Sequence, residues 1–175
     1  QGFSAAQINT FKQTSRSHAQ MARKYYIEET KKNQKMAALF ITHISDIPQT
    51  QAGFYDDLNN MKFSAAELKK SSDQTVLLLE RQTQNFWSGA GATVTPLLSH
   101  YDGTAISGGT VSWAIKDGST IVSSGTSQTG LNVSNGDVYT LKNISFTAPV
   151  ISSAKKYSLQ VTLIANGGAY TRSND

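Results

Sequence analysis

The sequence predicts an α+β chain in two parts: a helix-strand-helix piece over residues 1–74, then an all-β antiparallel sandwich over residues 75–175. Three observations carry this expectation. Apolar side chains recur at helical spacing from Ile8 to Tyr26, an almost continuous apolar run covers Met36 to Ile44, and from Thr75 onward the apolar period becomes two.

Ser4-Ala5-Ala6-Gln7 has the form of a capping box, in which a serine hydroxyl and a glutamine side chain satisfy each other's orphan backbone donors. Ile8, Phe11, Ser15, Ala19, Ala22 and Tyr26 then follow one face of a helix that runs to about Asn33. Met36 to Ile44 reads as a strand buried on both faces of a parallel sheet, and the β-branched Ile41, Thr42 and Ile44 favour a strand over a core helix. Such a strand needs parallel neighbours, which the first 74 residues do not supply, so its partners are expected outside this chain. Ser45 to Lys62, with Pro48, Gly53, Asp56-Asp57 and Asn59-Asn60, is loop and turn in composition. Ser64-Ala65-Ala66-Glu67 gives a second capping box and a short helix to about Ser71.

In the second part, Val76 to Leu79 and Ala92 to His100 are the first two expected strands. Val111, Trp113 and Ile115 alternate with polar or small residues, and Asp117-Gly118 turns that strand into one through Ile121 and Val122. Leu141, Ile144 and Phe146 mark a further strand. Tyr157, Leu159, Val161, Leu163 and Ala165 give the cleanest alternation before Asn166-Gly167-Gly168, and Ala169 to Arg172 is the last strand. Seven or so short strands between Gly, Asn and Ser turns, without a helix among them, predict an immunoglobulin-like arrangement of two antiparallel sheets.

Composition bounds the function. The net charge is +4, but the densest basic group, Lys31, Lys32 and Lys35, falls at a helix end, where cations favour the macrodipole, so nucleic acid is not expected as a partner. No apolar run reaches the roughly 18 residues that span a bilayer, and no membrane role is expected. The absence of cysteine excludes disulfides and thiolate chemistry. Gln1 opens the chain without a leader, so any targeting signal is expected upstream of it.

Several patterns in order resemble the C-terminal end of glycoside hydrolase family 2, the β-galactosidase, β-mannosidase and β-glucuronidase group. Ser15-Arg16-Ser17-His18-Ala19-Gln20 and Tyr26-Ile27-Glu28-Glu29 resemble the helix before the eighth barrel strand, and Ala38 to Asp46 resembles that strand. Gly53-Phe54-Tyr55-Asp56-Asp57 with Met61-Lys62 is similar to the loop before the last helix. Ser99-His100-Tyr101, Val111-Ser112-Trp113-Ala114-Ile115, Lys156-Tyr157-Ser158-Leu159 and Ser173-Asn174-Asp175 resemble the closing sandwich domain. The resemblance implies that residues 1–74 are the end of a TIM barrel and residues 75–175 an accessory domain. It also implies a retaining parent enzyme, with the rest of that glycosidase as partner and carbohydrate as its ligand, and favours an extracytoplasmic or secreted location. The two catalytic glutamates of the family lie on earlier strands, so this chain is expected to carry no catalytic residue.

The residues themselves agree with that last expectation. A retaining site needs two carboxyl groups about 5 to 5.5 Å apart, whereas the adjacent Glu28 and Glu29 point about 100° apart on a helix and read as exposed ion-pair partners. Asp46 closes the apolar strand on the side that faces the active site in a barrel, so Asp46 and His43 are the candidates for substrate contact in the intact parent, against a role in fixing the loop. Thr42 and His43 stand where the family often has an aromatic residue. Asp56-Asp57 reads as an Asx turn more readily than a cation site. His18, His43 and His100 lack metal-ligand spacing, Ser99-His100-Tyr101-Asp102 is too local for a nucleophilic triad, and no glycine-rich segment opens a helix. No metal or cofactor is expected. Trp113 shares the parity of core residues, while Trp87 and Tyr101, with Tyr139 and Tyr170, are the candidate platforms for a sugar ring; for Trp87 and Phe86, at the junction of the two parts, packing on a barrel is the competing use. Two other readings stay open: a sandwich that binds carbohydrate on its own account, and a structural or adhesive β-domain on a helical stalk.

Overall fold

A computed structural model describes residues 2–36, 38–80 and 84–175. It is a β-rich α+β chain of antiparallel sheets with two α-helices among the described residues, divided into two compact units, Gln1–Ser72 and Asp73–Asp175.

In the first unit, α1 (Ala5–Lys32) begins where the capping box predicts. The Ser4 hydroxyl accepts from the Gln7 amide at 3.3 Å, and Gln7 Oε1 accepts from the Ser4 amide at 2.9 Å. Lys31 and Lys32 occupy its last turn, where Lys32 pairs with Glu29 at 2.7 Å. Glu28 is buried, not exposed as its place beside Glu29 suggested, and lies 3.8 Å from Lys24 one turn earlier. The second helix, α2 (Ala65–Ser72), starts with the Ser64 hydroxyl accepting from the Glu67 amide.

The predicted strand over Met36–Ile44 does not form. Ala37 lies outside the described residues; the others have no ladder, and Leu39, Phe40, Ile41 and Ile44 are exposed, Phe40 at 89%. The cause is the lack of a partner: a lone extended segment has nowhere to place its backbone donors and acceptors except water. Pairing begins only at Ser45, which makes a parallel bridge to Tyr55, followed by bridges of Ile47 with Thr50 and Tyr55 with Met61.

The second unit contains β1 (Thr75–Leu79), β2 (Gly91–Val94), β3 (Pro96–His100), β4 (Ile106–Asp117), β5 (Thr120–Val133), β6 (Asp137–Thr140), β7 (Ile144–Thr147), β8 (Ser158–Ala165) and β9 (Tyr170–Asn174). They pair antiparallel as β1-β3-β6, β2-β7 and β5-β4-β8-β9. Ala92 to His100, expected as one strand, is two strands in different sheets. Proline has no N–H for a ladder, so Pro96 can open β3 but cannot continue β2. Leu141 lies outside β7, β9 begins and ends later than expected, and the short β6 carries too little alternation to read from sequence.

Leu77, Leu98, Ile106, Val111, Ile144 and Leu163 are at the centre of one core drawn from all three sheets. Fully burying side chains of this size contributes roughly 1.5–3 kcal/mol each. On β1 the alternate residues Val76 and Leu78 join Leu97 in a second buried cluster. The doubly buried strand is therefore Val76–Leu79, which carries the same continuous apolar signal as Met36–Ile44 but has β3 beside it in full register. Asp117 pairs with Thr120 across the expected hairpin turn, with Gly118 at φ +59°. Trp113 lies partly buried over its cross-strand partner Gly125, where a Cβ would come within 2.9 Å of the indole.

Candidate functional site

Three side-chain constellations stand out, and they differ in what can reach them. In the first unit, Asp46 organises the loop between Ile44 and Lys62. Its Oδ1 accepts from the Gly53 amide at 2.9 Å and pairs with Lys62 Nζ at 2.6 Å; Lys62 also donates to the Gln51 carbonyl. A Cβ on Gly53 would lie 2.4 Å from the Ser45 carbonyl carbon, so only glycine permits this crossing. Arg23 of α1 lies over the rings of Phe54 and Phe63, at 4.4 and 4.7 Å from their centroids, and donates to the Ala52 carbonyl. Burial lowers the Arg23 guanidinium against the opposing pull of Asp46. Asp56 accepts from the amides of Leu58 and Asn60 in an Asx-type turn, and these bonds, the Asn60 amide first, hold its carboxyl below the usual range. His43 is exposed with φ +67°. Beside Arg23, a small cavity of about 30 Å³ lined by Gln20, Lys24, Phe63, Glu67 and Leu68 has room for one or two waters.

The second constellation joins the start of β1, the end of β3 with the loop after it, and β9 in the second unit. His100 Nδ1 lies 2.8 Å from Thr75 Oγ1, and its Nε2 lies 2.6 Å from the Thr104 carbonyl. Asp102 accepts from Thr75 Oγ1 at 3.0 Å, from the Thr104 amide at 3.0 Å and from the Tyr170 hydroxyl at 2.6 Å. Arg172 stacks on Tyr170, with its guanidinium 3.8 Å from Asp102 and 3.7 Å from Asp73. Burial by itself raises the Asp102 carboxyl, but the bonds from Tyr170, Thr104 and Thr75 outweigh it and hold the carboxyl below its ordinary value. Burial, and then the bond to Asp102, push the Tyr170 hydroxyl up to about 12. Threonine, histidine and aspartate thus come together, but not as a nucleophilic triad: Thr75 is buried, His100 is 0% exposed, and the one hydroxyl proton of Thr75 can serve either Nδ1 or Asp102, not both. The network ties β1, β3 and β9 together, with Arg172 Nε left without a hydrogen-bond partner 3.7 Å from Asp73. Histidine and aspartate two residues apart were visible in sequence; Thr75, Tyr170 and Arg172, distant along the chain, were not.

The third constellation faces solvent. Phe86 and Trp87 precede a turn closed by the Ala90 amide on the Trp87 carbonyl at 3.0 Å. The turn is fastened to the segment after β7: Ser88 Oγ accepts from the Ile151 amide at 2.9 Å and donates to the Ile151 carbonyl, and the Ala148 amide donates to the Ala90 carbonyl at 2.8 Å. Phe86 packs edge-on against Phe146, whose ring in turn meets Trp113. Trp87 is 88% exposed and Val150, on the fastened segment, 86%. Tyr101, another candidate platform, is 43% exposed at the end of β3 in a different sheet, and no ring contact joins it to Trp87 among the described residues.

Residues 92–174, from β2 to the end of β9, match a family model described as a domain of unknown function, DUF8488. No curated protein matches the chain. Among solved structures, the sporulation control protein Spo0M of Bacillus subtilis is similar, at 16% identity over 58% of this chain with a TM-score of 0.37. The match takes in 46% of the Spo0M chain, less than half of its length.

Proposed function

We propose that the chain is the noncatalytic C-terminal portion of a glycoside hydrolase acting on β-linked sugars. In this reading residues 1–74 complete a (β/α)8 barrel, and residues 75–175 form an immunoglobulin-like sandwich that supports it. The observation that carries the reading is the apolar surface of the first unit. Among the described residues Ile27 is its one buried hydrophobic side chain, while Ile8 and Phe11 on α1 and Leu39, Phe40, Ile41 and Ile44 beyond it are exposed. A helix stripe and an apolar run without a core of their own are what a barrel leaves when its other strands and helices are taken away: the run would lie between parallel neighbours, and the stripe would cover the sheet. The Asp46–Lys62 clasp then sits at the C-terminal end of that strand, where His43 and Asp46 would border the substrate cleft. Two of this chain's acids, Asp46 and Asp56, are each committed to local bonds, which supports a noncatalytic role for them.

Hydrolysis of chromogenic β-galactoside, β-mannoside and β-glucuronide substrates, run in parallel on residues 1–175 and on the longer enzyme the proposal requires, tests it. Turnover by the longer protein only is the expected result. Turnover by residues 1–175 alone would overturn the noncatalytic reading, and turnover by neither would overturn the glycosidase.

A further inference from the structure

The β2–β7 ribbon carries no charge of its own, like β5, but it alone leads directly into a turn with an exposed tryptophan. No ionisable side chain occurs from Gln84 to Thr95 or from Ile144 to Ala154, in a chain with 16% charged residues. The exposed positions of the ribbon are a row of hydroxyls: Thr93 and Ser145 are cross-strand partners with their oxygens 3.1 Å apart, and Thr147 is paired with Gly91. Past the end of β2, Thr95 donates to the amide oxygen of Asn143 at 3.0 Å and extends the row. At its other end, Gly91 follows directly on the fastened turn that carries the exposed Trp87.

We infer that the Trp87 indole and this hydroxyl row form a binding site for the neutral pyranose units of a polysaccharide. A pyranose has an apolar face of C–H groups and a rim of hydroxyls. A flat indole covers the first, while threonine and serine hydroxyls and an asparagine amide, each both donor and acceptor, exchange hydrogen bonds with the second. Within the ribbon itself no side chain can pair with an ionic ligand. Thr93 with Ser145 and Thr95 with Asn143 already bond to each other, and each oxygen keeps a further acceptor site that a hydroxylated occupant can use. The Ser88–Ile151 and Ala90–Ala148 bonds hold the turn before a ligand arrives, so little ordering is needed on binding. The site needs only the ribbon and its turn and stands independently of the glycosidase assignment.

Affinity electrophoresis of the whole chain through gels containing galactomannan, mixed-linkage β-glucan or, as an acidic comparison, polygalacturonate tests the site. The expected result is retardation by at least one neutral polysaccharide, weakened about tenfold or more by Trp87→Ala, which removes the stacking surface. Thr93→Val with Ser145→Ala, which keep the indole, weaken it as well, and Tyr101→Ala leaves it unchanged. Denaturation midpoints equal to that of the unsubstituted chain confirm that each variant is folded. Three results overturn the site: no retardation by any neutral polysaccharide, equal retardation of the Trp87→Ala chain, or retardation by polygalacturonate alone. A dimer in sedimentation that Trp87→Ala disperses, without polysaccharide binding, would assign the surface to a second copy of the chain instead.

Discussion

The two units of this molecule are built from similar sequence signals and end in opposite states. Met36–Ile44 and Val76–Leu79 are both nearly continuous apolar runs with β-branched residues, yet the described residues of the first are exposed and irregular while the second is buried on both faces. The difference is the partner. Val76–Leu79 has β3 in register from Thr75–His100 to Leu79–Pro96, and Leu77 reaches a core shared with Leu98, Val111 and Leu163. The first unit gains its order locally, from helix bonds, caps and the Asp46–Lys62 clasp, and buries little apolar surface. Hydrophobicity along a chain states a demand for burial; whether it is met depends on what lies opposite.

The strongest way to break the comparison is to remove core from the second unit. Leu163→Ala leaves a cavity at a fully buried site, with an expected loss of about 2–5 kcal/mol in denaturant unfolding followed through the β-sheet signal. Next in size is the polar tie: Asp102→Asn replaces a carboxylate that accepts three hydrogen bonds and is expected to cost about 1–3 kcal/mol at neutral pH. Because the folded-state carboxyl of Asp102 lies below its ordinary value, the stabilisation by its ionised form is complete above the ordinary carboxylate range and is lost as pH falls through the folded value. The unfolding midpoints of the Asp102→Asn and unsubstituted chains should therefore converge in acid; a gap that persists unchanged would mean that the charge of Asp102 does not matter.

Within the first unit the expected effects are local. Gly53→Ala forces apart backbone atoms that now meet at 2.4 Å from the added Cβ position, so amide exchange should quicken from Ile44 to Lys62 without a change in the second unit. The smallest effect is expected at the most exposed apolar residue of the run: Phe40→Ser should stay within about 0.5 kcal/mol in this chain. A larger loss would show that Phe40 is already covered.

Much of this architecture was legible because the interactions behind it are short in sequence. Ser4 and Gln7 are three residues apart, as are Ser64 and Glu67, and both helices start where those pairs place them. The hairpin at Asp117 and Thr120 is equally local. The break at Pro96 was legible in principle, since a proline in the middle of an expected strand lacks its donor. The exposed turn at Trp87 was half legible: the indole was visible in sequence, but not the bonds to Ile151 and Ala148 that fasten it, which span more than fifty residues.

By itself, then, the sequence determined the two helices, the alternation of β4 and β8, the absence of thiol chemistry and the uncharged character of the β2–β7 ribbon. Each of these depends on residue types or on neighbours within a turn or two. Only the tertiary structure decided which apolar run became a buried strand, that Thr75, His100, Asp102 and Tyr170 meet, and that Asp46 is clasped by Gly53 and Lys62. Those outcomes depend on which distant backbone or side chain arrives to satisfy a buried group, and no local pattern encodes that arrival.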